Sequence, residues 1–187
     1  MAKACSFFGH RTIEVTEELK FKLDFLLEFL ITTQDVEIFL FGSRSDFDEF
    51  CHERVTLLQK KYPNIKRIMY RCRSEYVVKK EEKERLEKSW SEVLKHPVTL
   101  KDYDGEIASE RVFAAGRASY VERNQEMINA SDYCIFYYNE DYLPPRRKNS
   151  KRNFNDYQPK SGTKLALDYA MKQSKKRDLR VLNVYSK

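Results

Sequence analysis

Five short segments of the chain are almost continuously apolar, and several of their residues are β-branched or aromatic. A strand of a parallel sheet has this pattern when helices cover both faces of the sheet. The segments span residues 4–8, 36–41, 65–70, 133–138 and 179–184. We therefore predict a mostly parallel sheet of about five strands.

Between these segments, apolar residues recur at the three- and four-residue spacing of amphipathic helices. The predicted helices span residues 17–30, 120–130 and 163–174. Thr16 is the expected N-cap of the first helix, and a further helix follows Asp46, which forms a capping box with Glu49. Strands that alternate with helices predict a three-layer, Rossmann-like α/β fold with helices on both faces of the sheet.

Two longer segments, at about residues 72–118 and 140–160, interrupt this alternation and are interpreted as insertions. Within the first, residues 79–95 carry charges of both signs at helical spacing, which predicts an exposed helix. Residues 101–117 are mixed in character and predict extended chain. No repeat or boundary divides the sequence, so we expect a single domain over residues 1–187.

The composition is that of a globular protein, with 41% hydrophobic and 34% charged residues. The net charge is +6, and residues 146–160 alone contribute +5 of it. A basic loop of this kind can attract nucleic acid, cover an anion pocket as a lid, or form a solvated surface. The sequence leaves these three interpretations open.

No apolar run approaches the roughly 18 residues that span a bilayer, so a membrane is not an expected partner. The first eight residues are too short for a secretory signal, which favours a cytoplasmic location. The four cysteines show no metal-binding spacing, and no metal site is predicted. Cys5 and Cys134 lie in predicted strands and are expected in the core.

Ligands of an open parallel sheet bind at the carboxyl ends of the strands, where the strand order reverses. Three loops at this edge carry glycines, hydroxyl groups or cations, and two of them lead into helix N-termini that attract phosphate. Arg123 and Asn124, on the helix before the fourth strand, can add donors. The candidate loop residues are Gly9, His10, Arg11, Gly42, Ser43, Arg44, Asp48, Ser161, Gly162 and Thr163.

Taken singly, each of these features also fits a turn glycine, a plain N-cap or a surface arginine. Their occurrence at one edge of the sheet favours a pocket for a phosphate-bearing ligand. Asp48 is then expected to accept a hydrogen bond from a ribose hydroxyl or a base, whereas Asp46 is interpreted as structural. The sequence contains neither a GxGxxG nor a Walker A motif.

These pieces, in this order, resemble the SLOG superfamily and, within it, the YpsA-like branch. The matching segments span residues 5–11, 39–48, 123–127, 131–133, 161–163 and 168–170. The resemblance implies a Rossmann-like sheet whose pocket binds a nucleotide or nucleotide-derived molecule, with no other cofactor. Arg44 and Asp46 depart from the small residues that the family tends to have, which implies a narrower or differently charged pocket. Similar proteins often dimerise, so a homodimer is an open alternative.

The same resemblance extends to LONELY GUY-type phosphoribohydrolases and to DNA-processing proteins related to DprA. The hydrolases carry a Gly-Thr-x-x-Glu pattern, because cleavage through an oxocarbenium-like state needs a carboxylate. Here Ala166 stands at the glutamate position, and Asp168 is predicted to face away from the pocket. Asp48 or Glu122 could substitute, so no catalytic residue is assigned.

We therefore predict binding or sensing of a nucleotide or nucleotide-derived ligand, with weak or no catalysis. Two alternatives stay open. The first is a hydrolase or transferase that acts on a nucleotide N-glycosidic or phosphate bond. The second, less favoured, is a DNA-binding protein of DprA type, whose affinity would fall steeply with salt.

Overall fold

The computed structural model describes residues 2–42, 45–71, 103–109, 117–142 and 161–186. These residues form one sheet of six strands, all of which pair in parallel. The strands span Lys3–Gly9 (β1), Val36–Phe41 (β2), Lys66–Arg71 (β3), Gly105–Ala108 (β4), Tyr133–Tyr137 (β5) and Arg180–Asn183 (β6). The helices of the described ranges span Glu17–Gln34 (α1), Asp46–Lys61 (α2), Arg117–Asn129 (α3) and Gly162–Ser174 (α4).

The strand order across the sheet is β4-β3-β2-β1-β5-β6. The chain therefore moves outward from β1 to β4 in one direction, and then returns to add β5 and β6 on the other side of β1. This reversal separates the loops that follow β1 and β5. A crevice at the carboxyl ends of these two strands is the usual ligand position in such a sheet.

Two apolar clusters form the core, one on each face of the sheet. Helices α1 and α2 cover the face to which Phe7 of β1 contributes, whereas α3 and α4 cover the face to which Phe8 contributes. Adjacent strand residues point to opposite faces, which explains why both phenylalanines are buried. The three-layer Rossmann-like arrangement predicted from the sequence is confirmed, although the sheet has six strands rather than about five.

The strand that the sequence did not predict is β4. It lies in the region predicted to be extended, and it pairs with β3 at the edge of the sheet. Its Ile107 is 41% exposed, so β4 lacks the continuous burial of the central strands β1 and β5. The predicted helix over residues 79–95 lies outside the described residues. Among the described helices, none combines the length and apolar character that a membrane crossing requires.

The helix caps differ in how well the sequence predicts them. The Thr16 side chain accepts a hydrogen bond from the Leu19 N–H at 3.1 Å, which confirms it as the N-cap of α1. The prediction that Asp46 caps α2 was wrong by one residue. The N-cap is Ser45, whose Oγ accepts a hydrogen bond from the Asp48 N–H at 3.2 Å. Asp46 is instead the first helical residue.

Candidate functional site

The crevice at the strand reversal begins with Gly9, the last residue of β1. A Cβ atom built on Gly9 would lie 2.2 Å from the Cβ of Phe47, so the turn allows no side chain here. The Gly9 carbonyl accepts a hydrogen bond from Thr163 Oγ1 at 2.8 Å. This bond fixes the N-terminus of α4 beside the end of β1, and it brings two of the predicted loops together.

His10 follows directly and is buried, with 2% of its surface exposed. Its Nε2 lies 2.8 Å from the backbone nitrogen and 3.1 Å from the backbone oxygen of Asn139, so it accepts from the N–H in one tautomer of the neutral ring and donates to the carbonyl in the other. Burial lowers the pKa of His10, while its hydrogen bond to the Asn139 backbone opposes this effect. Nδ1 is buried and has no hydrogen-bond partner among the described residues.

An aromatic side chain packs against this histidine. The Tyr142 ring stacks on the imidazole, with 3.9 Å between ring centroids and 16° between ring planes. The Tyr142 hydroxyl is also buried and has no hydrogen-bond partner in the described part of the chain. Asn139 and Tyr142 were not among the predicted site residues, and only their position just after a central strand could have identified them.

The second part of the candidate site is Arg123 on α3, which is buried, with 3% of its surface exposed. Its Nη2 donates to the Asn124 side chain at 3.2 Å, and its guanidinium carbon lies 5.3 Å from the centroid of the Tyr120 ring. Arg123 Nε has no acceptor, and no carboxylate pairs with this guanidinium within the described ranges. A buried guanidinium without a counter-ion carries a large desolvation penalty.

Gly42, the residue after β2, makes room for this arginine. A Cβ atom at Gly42 would lie 3.1 Å from Arg123 Nε and 2.6 Å from the sulfur of Met127. The same atom would lie 3.0 Å from the backbone oxygen of Tyr70. Gly42 and Arg123, predicted separately from the sequence, are therefore neighbours in the fold.

The N-terminus of α4 has free backbone donors. Ser161 caps this helix, and its Oγ accepts from the Lys164 N–H at 3.1 Å. The N–H groups of Gly162 and Thr163 have no acceptor among the described residues. Nothing lies within 4 Å of a Cβ atom built on Gly162, so open space adjoins these donors.

The N-terminus of α2 is the other helix end predicted to attract phosphate, but backbone N–H groups there already donate to other atoms of the chain. The Asp46 N–H donates to the Arg11 carbonyl at 2.9 Å, and Ser45 Oγ accepts from the Asp48 N–H. Asp48 is 3% exposed, whereas Arg11 is exposed. The predicted Ser43 and Arg44 lie outside the described residues.

Helix α4 also shows why the position three residues after Thr163 cannot act as a catalytic acid. Ala166 is 3% exposed and packs in the apolar cluster beneath α3 and α4. Asp168 lies on the exposed side of the helix, where it forms an ion pair with Lys164 at 2.8 Å. A different acid, Glu122, directly precedes Arg123 in the sequence, and its Oε2 is buried without a hydrogen-bond partner among the described residues.

The cysteines of the described ranges are structural. Cys5, Cys51 and Cys134 are buried free thiols. Burial raises the pKa of Cys134 to about 12, so this thiol stays protonated and poorly reactive at neutral pH. In the described part of the chain, no group of three or more potential metal ligands lies close enough together to hold an ion.

No family model matches the chain, and no curated protein matches it significantly. The similarity to the SLOG superfamily therefore stays a prediction that rests on the residues and their order. The geometry of the crevice carries the functional argument by itself.

Proposed function

We propose that the protein binds a phosphate-bearing nucleotide, or a molecule derived from one, at the carboxyl edge of its sheet. The observation that carries this proposal is Arg123, a guanidinium that is 3% exposed and has no counter-ion among the described residues. Such a group is stabilised when an anion enters the site and accepts its hydrogen bonds. Gly42 supports this role, because any side chain at this position would crowd the guanidinium at the end of β2.

The N-terminus of α4 supplies the second element that a phosphate needs. Backbone N–H groups at a helix N-terminus bind anions through hydrogen bonds and the helix dipole. No described residue accepts a hydrogen bond from the backbone N–H of Gly162 or Thr163, and the space around Gly162 is open. The cation and the helix lie on the same face of the sheet, because α3 and α4 share one core cluster.

The β1–β5 crevice supplies contacts for the non-phosphate part of the ligand. There, His10 and Tyr142 present stacked rings together with two buried polar atoms, Nδ1 and the phenolic oxygen. Purine and pyrimidine bases offer both donors and acceptors for such groups, and flat faces for aromatic contacts. This arrangement supports a nucleotide rather than inorganic phosphate alone.

Thermal denaturation with a ligand panel tests the proposal. The panel contains the adenine, guanine, cytosine and uracil nucleoside mono- and triphosphates, the matching nucleosides, and inorganic phosphate. We expect at least one nucleotide to raise the melting temperature, and the corresponding nucleoside to have little effect. Native mass spectrometry of the purified protein would identify a ligand that co-purifies. No stabilisation by any nucleotide at millimolar concentration would refute the proposal.

A second candidate is a hydrolase or transferase that acts on a nucleotide N-glycosidic bond, and the buried Glu122 oxygen favours it. Chromatography after incubation with nucleoside monophosphates would detect a released base. Release that Glu122→Gln abolishes, with nucleotide binding retained, would favour this enzyme over a pure binding protein. Retention of DNA on filters at physiological salt, without nucleotide stabilisation, would favour the DprA-type alternative.

A further inference from the structure

Helix α1 carries three exposed phenylalanines on its outer face. Phe21, Phe25 and Phe29 follow one another at four-residue spacing, so they form one ridge along the helix. Their exposed fractions are 74%, 69% and 42%, respectively. We call this ridge the α1 phenylalanine ridge. Aromatic side chains rarely stand in such a row in water unless the surface has a partner.

The other sides of α1 already have partners within the chain. The inner side packs in the core through Leu19, Leu23, Leu27 and Leu30. On the side toward α2, Asp24 accepts two hydrogen bonds from Arg54 at 2.6 Å each. Glu28 accepts from the Tyr62 hydroxyl at 2.6 Å and pairs with Lys61. Only the outer side, with the α1 phenylalanine ridge, lacks an equivalent contact among the described residues.

We propose that the α1 phenylalanine ridge is a dimer interface that pairs with the same ridge of a second copy of this chain. A two-fold axis near Phe25 would place the two helices antiparallel, with Phe21 against Phe29 of the partner subunit. Ridges of residues four apart are the surfaces that interdigitate in the commonest helix–helix packing of globular proteins. Identical rings on successive turns make the surface complementary to itself, as a two-fold interface requires.

The available area is consistent with a dimer. The exposed fractions of the three rings together equal nearly two complete phenylalanines, or roughly 370 Å² of apolar surface per subunit. A standard interface buries about 800 Å² per partner, of which the central part is apolar and the rim is polar. The ridge would therefore supply the apolar centre, and the neighbouring helix surface would supply the rim.

The charge of α1 argues against an anionic lipid surface as the partner of the ridge. Helix α1 contains four acidic and two basic residues, a net charge of −2. Helices that lie on anionic membranes instead carry an excess of Lys and Arg on their polar sides. Lys22, the cation nearest the ridge, donates to the Ser186 hydroxyl at 3.1 Å.

Analytical ultracentrifugation of the full chain tests the proposal with Phe25→Glu. We expect wild type to dimerise reversibly, and the variant to raise the dimer dissociation constant by at least roughly a hundred-fold, since both copies lose a central ring. Met171→Glu is the matched control, because Met171 is 48% exposed on α4, in the opposite layer, and should leave dimerisation unchanged. Circular dichroism of both variants establishes that each is folded.

Cysteine cross-linking tests the register in a Cys72→Ser background, in which the three remaining cysteines, Cys5, Cys51 and Cys134, are buried. Phe25→Cys should form an intermolecular disulfide under mild oxidation, because the two-fold axis brings the two copies of this position together. Phe21→Cys should not, because its two copies lie about 12 Å apart along the helix axis. A monomer at all concentrations, equal cross-linking at both positions, or co-sedimentation of a monomer with phosphatidylcholine–phosphatidylserine vesicles would overturn the proposal.

Discussion

Replacing Arg123 with methionine would separate the effect of this side chain on stability from its effect on binding. Methionine is similar in length and fills irregular apolar space, but it removes the positive charge. Arg123 is 3% exposed, and its surroundings include Met127 and the Tyr120 ring. In the absence of ligand, the arginine therefore carries a desolvation penalty, which Asn124 and Tyr120 offset in part.

The structure indicates the direction and size of the effect. Removing a buried charge that has no counter-ion among the described residues, and filling its space with an apolar side chain, should raise the free energy of unfolding by about 2 kcal/mol. For a chain of this length, that corresponds to an increase of about 4–8 °C in melting temperature. A nucleotide at a hundred times its dissociation constant should stabilise wild type by about 2.7 kcal/mol, but Arg123→Met by little.

The assay is thermal denaturation of both proteins, with and without the nucleotide that the ligand panel identifies. Arg54→Met is the matched control, since Arg54 is an arginine whose carboxylate partner, Asp24, is in place. This control should lower stability by about 1 kcal/mol and leave the ligand effect intact. If Arg123→Met instead lowers the melting temperature and keeps the ligand effect, the arginine is structural and the reasoning is wrong.

Three further predictions concern the crevice. Gly42→Ala should lower the free energy of unfolding by about 1–3 kcal/mol in urea denaturation, because its Cβ would lie 2.6 Å from the Met127 sulfur. The control Gly162→Ala, whose Cβ meets open space, should change the free energy of unfolding by less than about 0.5 kcal/mol. The pKa of His10 is lowered in the fold, so the stability that its neutral form provides above the unfolded pKa near 6.5 is lost as the pH falls. His10→Gln should therefore reduce the loss of melting temperature between pH 7.5 and pH 5, and an unchanged slope would contradict this. Thr163→Val should cost about 1 kcal/mol by removing its hydrogen bond to Gly9, whereas Thr163→Ser should retain most of the stability, and equal losses in both variants would argue against that bond.

Much of the fold could be predicted from local pattern, because burial on both faces leaves a continuous apolar run in the sequence. Strand β4 could not, since its four residues lie at the sheet edge and Ile107 is 41% exposed. The α2 cap was misplaced because serine and aspartate both favour this position, and only the backbone geometry distinguishes Ser45 from Asp46.

The candidate site was predictable in its residue types but not in its pairings. Gly42 and Arg123 were each identified from the sequence, yet their contact depends on how α3 packs against β2 and β3. Asn139 was missed because its bond to His10 joins residues 129 positions apart. Contacts of this range are set by tertiary packing, which local patterns do not encode.

The position of β1 has a consequence for how the chain matures during synthesis. Of the six strands, β1 is synthesised first, and it can pair early with β2, which follows after one helix. Its other edge receives β5 only much later, and the Asp132 side chain that binds the Ala4 N–H is 128 residues away. Until then, the nascent protein exposes the unpaired edge of an aromatic strand, which makes this stage vulnerable to aggregation and slows completion of the sheet.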